Sequence, residues 1–288
     1  GSAEIIGAAN FSLNIIRIGY VVYQNNEKIN FKKLEFFVFI HALNQNSEIF
    51  YKASSFNTKN SDFLLNEISF SSFDHTLMIG INRAEISSVA NAIRRFAELK
   101  LAKVISDGKI ADIIVLDGNL QSTLTNENIY LNELYESCNK NNVILSALSK
   151  TTSLFTDNGN LLSAVLDNIS TRPTWFYYPI VEISSIHHKA EMFFVKFHDK
   201  SKHIFRFEIF NEQKTNAEGI INVLAVNCID PIFIGYPYGL VEADGIARIS
   251  NNEKESLKTM FLVKLRNKNI EKYLSSADAH EILDGIRF

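Results

Sequence analysis

The chain has 288 residues, 46% of them hydrophobic, with 29 basic and 32 acidic side chains and a formal net charge of -3. That length and apolar content suffice for a sizeable core and exclude wholesale disorder, while the mildly acidic balance excludes the simplest nucleic-acid binder, a globally basic module. No apolar run approaches the roughly 20 residues that a membrane-spanning helix needs, and no charged start followed by an apolar segment marks a secretory signal.

A protein of the cytoplasm is therefore expected. The two cysteines, Cys138 and Cys228, lie far apart without Cys-x-x-Cys spacing, which fits a reducing compartment better than a disulfide framework or a zinc site. Gly1-Ser2 reads as a cloning remnant, which leaves room for a trimmed upstream segment.

In chain order, Phe11 to Tyr23 is rich in Ile, Val and Tyr and runs into the polar Gln24-Asn25-Asn26-Glu27, as a strand entering a turn does. Glu35 to Leu43, Ser47 to Ser54 and Thr76 to Ile81 read as further strands, so the first part of the chain predicts an antiparallel meander. The period then changes. Ile86, Val89, Ala90, Ile93, Ala97 and Leu101 fall on one stripe at helical spacing, and Asn82-Arg83-Ala84-Glu85 has the form of a capping box at its start. The helix is expected to run to about Ile105 and to turn at Asp107-Gly108.

The stretch that follows, Ile113-Ile114-Val115-Leu116-Asp117-Gly118, predicts a buried strand with a carboxylate at its tip. In open α/β sheets the crevice beyond the strands' carboxyl ends is the usual ligand site, although Asp-Gly after a strand is also a plain turn. Asn128 to Asn139 reads as a helix and Val143 to Leu148 as a second buried strand, the alternation of a parallel crossover. A short helix over Leu161 to Leu166 precedes strands at Trp175 to Ser184, Met192 to His198 and His203 to Phe210. Glu218 to Cys228 is expected to be helical, Gly235 to Leu240 a loop, and Lys254 to Leu265 a helix with a basic outer face. With no linker, repeat or low-complexity segment, one domain over residues 1–288 is the economical reading.

Glu98, Asp117 and His280 stand out as acid or imidazole groups at element edges. Carboxylates within about 4 Å of each other repel by several kcal/mol at an effective dielectric of about 20, so a cluster of them needs a shared cation or proton. A divalent metal with open water positions would meet that need and polarise a phosphodiester. Glu85 and Glu98 are 98 - 85 = 13 residues apart, which on one helix puts them on opposite flanks of the apolar stripe. With Glu85 taken up in the capping box, Glu98 is the better candidate. The remaining histidines lack the one-turn helical spacing of a zinc protease motif, and the chain has no Gly-x-Gly-x-x-Gly, Walker A or Gly-x-Ser-x-Gly sequence. The Lys and Arg clusters at Arg94-Arg95 and from Lys258 to Lys272 read as solvated helix faces, with a local basic groove as the alternative.

The order of these landmarks resembles the NurA nuclease family. A helix carrying Arg95 and Ala97-Glu98-Leu99 precedes Leu116-Asp117-Gly118-Asn119-Leu120 by 117 - 98 = 19 residues, similar to that family's helical Glu followed by an Asp-Gly-Ser-Leu strand end. Leu148-Ser149-Lys150, Gly235-Tyr236-Pro237 and Asp278-Ala279-His280 follow in the family's order.

The resemblance implies an α/β fold, an RNase H-like mixed sheet flanked by helices, in a homodimeric nuclease that uses Mn²⁺ (or Mg²⁺). It further implies action on DNA ends with the hexameric HerA translocase in archaeal end resection. Carried over, Glu98 and Asp117 would ligate the metal, His280 would assist at the scissile phosphate, Lys150 would neutralise phosphate charge, and Tyr273 is a candidate active-site tyrosine. Asn10 stands where the family places its first metal-binding aspartate. An amide oxygen can coordinate but lacks the formal charge, so weaker metal affinity is implied. The resulting alternative is a weak or inactive NurA-like subunit that binds DNA or the translocase.

Overall fold

A computed structural model of the chain describes residues 1–56 and 67–265. The residue contacts fall into two compact units, one of residues 1–20, 32–98 and 246–288, the other of residues 21–31 and 99–245. Among the described residues the strands form two five-stranded sheets, one an antiparallel meander and the other mixed.

The meander has the order β1 (Ser2–Ala8), β2 (Phe11–Gln24), β3 (Glu27–Gln45), β4 (Glu48–Phe56), β5 (Ile68–Ser71). Its tight connections are two-residue turns. Ala8 pairs with Phe11 around Ala9-Asn10, Asn25 and Asn26 take φ of 50° and 64° between β2 and β3, and Asn46 and Ser47 take 51° and 68° between β3 and β4. Two successive positive φ values give a connection whose twist matches that of the flanking strands, and asparagine tolerates this conformation better than most residues.

In the first unit, Ile5, Ile6, Leu13 and Ile15 form a buried cluster that Leu257, Phe261 and Leu265 of α6 (Asn251–Leu265) cover. Phe70 of β5 lies against Phe96 of α1 (Ser88–Asp107), with ring centroids 6.3 Å apart. Arg17, 5% exposed, ties β2 to the chain's later part. Its guanidinium donates to Glu35 at 2.5 Å, to the Arg248 carbonyl at 2.6 Å and to Glu253.

In the second unit the sheet order is β6 (Ile113–Asp117), β7 (Ile144–Ser149), β10 (Phe205–Phe210), β9 (Ala190–Lys196), β8 (Trp175–Tyr177). β6 and β7 are parallel, joined through α2 (Glu127–Asn141), as the crossover reading predicted. The other pairs are antiparallel. Phe193, Val195, Phe205, Phe207 and Ile209 form a core with Ile220, Ile221 and Leu224 of α4 (Ala217–Val226). α3 (Leu162–Ile169) and α5 (Tyr238–Ala247) are the other α-helices among the described residues.

Several local expectations are corrected. Thr76 to Ile81 is a turn and not a strand: Asp74 accepts from the Thr76 amide at 2.8 Å and from its hydroxyl at 2.6 Å, and Ile79 and Ile81 are exposed. The strand lies earlier, at Ile68–Ser71. The long helix starts at Ser88, so Glu85 precedes it and is no capping-box acid. The reason is tertiary. The Ala84 amide donates to Ser72 O at 2.8 Å and its carbonyl accepts from the Tyr51 hydroxyl at 2.7 Å, which holds this stretch out of the helix. The strand from Trp175 stops at Tyr177, two residues before Pro179, since proline has no N–H for the ladder. The expected loop over 235–240 is already helical from Tyr238, and β1 was not anticipated.

Candidate functional site

β6 ends on Asp117 because the next residue cannot continue the ladder. Gly118 takes a φ of 129°, a conformation L side chains rarely adopt. The turn is held at each of its first peptides. The Gly118 amide donates to the Leu148 carbonyl at 3.0 Å, and the Ser149 hydroxyl donates to the Gly118 carbonyl at 2.7 Å. Leu120, fully buried, donates its amide proton to Glu208 at 2.7 Å and accepts from the Tyr135 hydroxyl at 3.1 Å. Asp117 therefore projects from a fixed backbone at the carboxyl ends of two parallel strands, the position where α/β sheets place ligands.

The Asp117 side chain is 38% exposed, and both of its oxygens are engaged. Lys150, one residue beyond β7, places its ammonium 2.9 Å from Oδ2. The Tyr236 hydroxyl donates to Oδ1 at 3.1 Å. Lys150 also lies 5.3 Å from the centroid of the Tyr236 ring, an arrangement that holds the cation over the ring's negative face. Of the candidate residues, Asp117 and Lys150 are brought together.

Tyr236 completes the group; the sequence marked Gly235-Tyr236-Pro237 only as a landmark of the resemblance and gave Tyr236 no role. Its ring is fully buried, 4.9 Å from Phe233 and 5.2 Å from Phe205 between centroids. Burial raises its pKa well above the usual phenol value, and the Asp117 carboxylate and, more weakly, Asp244 raise it further, so the hydroxyl stays a proton donor. Gly235 aims it. Its φ is 89°, and a Cβ there would meet Ser201 Oγ at 2.4 Å. The signal available in the sequence was an aromatic residue between a glycine and a proline, just before α5.

The other predicted residues fall elsewhere. Glu98 lies on α1 within the first unit, where Arg94 one turn earlier pairs with it. Asn10 occupies the β1–β2 turn and accepts the Ala42 amide through its backbone carbonyl at 2.9 Å. It lines a cavity of about 800 Å³ with Phe11, Phe39, His41, Phe56 and Phe261. Among the described residues, none lining that cavity is acidic. Tyr273 and His280 lie outside the described residues.

Among the described residues, no group of three or more His, Cys, Asp or Glu side chains is placed to hold a metal. A small hard cation does not require such a cage: Mg²⁺ is commonly held by one or two carboxylates, with waters and substrate phosphate completing the shell. Asp117 fits that role. Its partner Lys150 is 39% exposed, and an ion pair this open is worth about 0–1 kcal/mol, so a divalent ion can displace it.

A family model of the NurA domain matches residues 20–249. That range contains Glu98, Asp117, Lys150 and Tyr236 and leaves out Asn10, Tyr273 and His280. No curated protein matches. Two solved structures are similar in part. The NurA nuclease from Sulfolobus solfataricus is 15% identical with a TM-score of 0.49, covering 92% of this chain and 87% of that one. Ciona intestinalis endonuclease V, solved with a DNA containing an inosine followed by a ribo-adenosine, is 14% identical with a TM-score of 0.34, covering 85% and 87%.

Proposed function

Because the chain belongs to the NurA domain family, a family of nucleases, we propose that it is a metal-dependent DNA nuclease that processes DNA ends together with a HerA-type hexameric translocase. A homodimeric, cytoplasmic protein is part of the same proposal. The observation that carries it is the Asp117–Lys150–Tyr236 group: a carboxylate, an ammonium and a phenol within hydrogen-bonding reach at the strand ends.

Each side chain has a distinct part. Lys150, once released from Asp117, offers a point charge to a phosphate oxygen, where negative charge grows during displacement. Tyr236, held protonated, keeps Oδ1 of Asp117 pointed inward, so that Oδ2 faces the substrate side. Asp117 would hold Mn²⁺ or Mg²⁺ jointly with the DNA phosphate, and the bound ion would supply Lewis-acid polarisation of the phosphodiester. Glu98, the resemblance's other acidic ligand, is tested by its own variant.

Linear duplex DNA incubated with the protein and Mn²⁺ provides the test. Asp117→Asn keeps the side chain's shape and is expected to lower cleavage by at least about 100-fold, the scale set by losing a charge that acts in the transition state. Equal rates for the two proteins remove Asp117 from the chemistry. Separately, Glu98→Gln cleaving as fast as wild type removes Glu98 from the ligand set.

A second reading, a DNA- or translocase-binding subunit with little catalysis, is favoured by Asn10, an uncharged residue beside an apolar cavity. Under it, the wild-type protein binds DNA with an affinity that falls steeply between about 50 and 200 mM salt, through counterion release, yet leaves the DNA intact. Asn10→Asp separates the two readings. A gain in Mn²⁺-dependent cleavage supports Asn10 as the occupant of a ligand position, and no gain removes it.

A further inference from the structure

Glu208 takes no part in the chemistry above, yet it is fully buried in β10, the middle strand of the mixed sheet. Water would solvate a carboxylate far better than a sheet interior does, so the protein must supply partners. It supplies three. Arg206 Nε donates to Oε1 at 2.5 Å, and His188 Nε2 lies 3.2 Å from Oε2, the same oxygen that accepts the Leu120 amide proton at 2.7 Å. Burial pushes the Glu208 pKa up, and the bonds from His188, Arg206 and Leu120 outweigh it and leave the group below the ordinary carboxylate range.

Leu120 is three residues after Asp117, and four bonds hold the intervening turn. Three of their acceptors are neutral carbonyls, those of Leu148, Gly118 and Leu120. The fourth acceptor is the charged one, and bonds to an ionised acceptor are shorter and about twice as strong. Glu208 therefore grips the far end of the turn whose near end carries Asp117.

We propose that Glu208 is a positioning residue: by taking the Leu120 amide proton it fixes the backbone of Gly118-Asn119-Leu120 and with it the direction of the Asp117 carboxylate toward Lys150 and Tyr236. Its functional meaning rests on Asp117 being the reactive carboxylate, while the structural effect can be measured without DNA.

Residue-resolved amide hydrogen exchange of the full chain provides the test. Glu208→Met removes the acceptor. Because an unpaired Arg206 can itself unfold the sheet, Arg206→Met/Glu208→Met is measured beside it, removing both charges. The expected result is exchange at Leu120 at least about tenfold faster, with the Phe193 and Phe207 amides of the neighbouring ladder unchanged. Glu208→Gln, whose side-chain oxygen still accepts one N–H, recovers part of the protection. Equal acceleration at Leu120 and in the ladder would mean a carboxylate that supports the sheet alone, and it overturns the proposal, as does unchanged exchange at Leu120. A wild-type protein that fails to cleave DNA removes the nuclease reading and leaves this result standing.

Discussion

Replacing Tyr236 with phenylalanine deletes one hydroxyl and keeps the ring that packs on Phe233 and Phe205. The loss is one hydrogen bond to an ionised acceptor, 3.1 Å long. Such bonds contribute about 1.5–3 kcal/mol when buried, but Asp117 is 38% exposed and retains Lys150, so water takes over part of the role and about 1 kcal/mol is expected at pH 7.

The pH dependence sharpens the prediction. Tyr236 has its pKa raised on folding by burial first and by Asp117 next, so above the unfolded phenol value of about 10 the unfolded state releases a proton that the folded state keeps. Wild-type stability then falls with pH by up to about 1.4 kcal/mol per unit from this group, whereas the phenylalanine variant has no such slope. The gap of about 1 kcal/mol should close near pH 10.7 and reverse above it. Urea unfolding at several pH values, followed through the fluorescence of the single tryptophan, Trp175 in β8 of the mixed sheet, measures this directly. A gap that is absent at pH 7, or constant from pH 7 to 11, refutes the reasoning.

Three further outcomes are expected. Arg17→Met leaves Glu35 and Glu253 without their buried partner; both acids are more than a third exposed, so the cost is at the low end for a broken buried pair, about 2–3 kcal/mol by urea midpoint. Arg17 holds the Glu253 carboxyl below its usual range, chiefly through their hydrogen bond, so this group's stabilisation is present above the unfolded pKa and lost as pH falls; the acid limb of stability against pH should be shallower in Arg17→Met. Burial pushes the Cys138 thiol up to about 11 and the Cys228 thiol up to about 12, so iodoacetamide at pH 8 should label both about 100-fold more slowly in native protein than in urea. Rapid native labelling of either would mean that its surroundings open far more often than the packing implies.

The parts of the fold legible in the sequence were those with a local cause. The run Ile113 to Leu116 followed by Asp-Gly gave the strand and its tip because apolar continuity and a glycine turn are both short-range signals. β1 was missed because Ser2–Ala8 is rich in small residues and its turn, Ala9-Asn10, has no Asn-Gly or Asp-Gly signature. The start of α1 was misplaced because hydrogen bonds to Ser72 and Tyr51, distant in sequence, decide it. In the site, Lys150 was reached only through the family resemblance, as the residue after the second buried strand. Tyr236 is 119 residues from Asp117, and nothing in its neighbours reveals where a buried hydroxyl will point.

The interleaving of the two units bears on how the chain is made. Residues 21–31 belong with 99–245, and 1–20 belong with 246 onward. Tyr23 and Lys28 bond Glu242, more than 210 residues later, and Arg17 waits for Glu253 across 236 positions. During synthesis, then, neither unit can close until the region around residue 250 has left the ribosome, and the β2–β3 hairpin must persist meanwhile without its final partners. Contacts this distant in sequence slow folding. They also mean that a cut at residue 99 parts Glu242 from Tyr23 and Lys28, and a cut at residue 245 parts Arg17 from Glu253, so dissecting this protein requires a circularly permuted or co-expressed pair of segments and not a simple truncation.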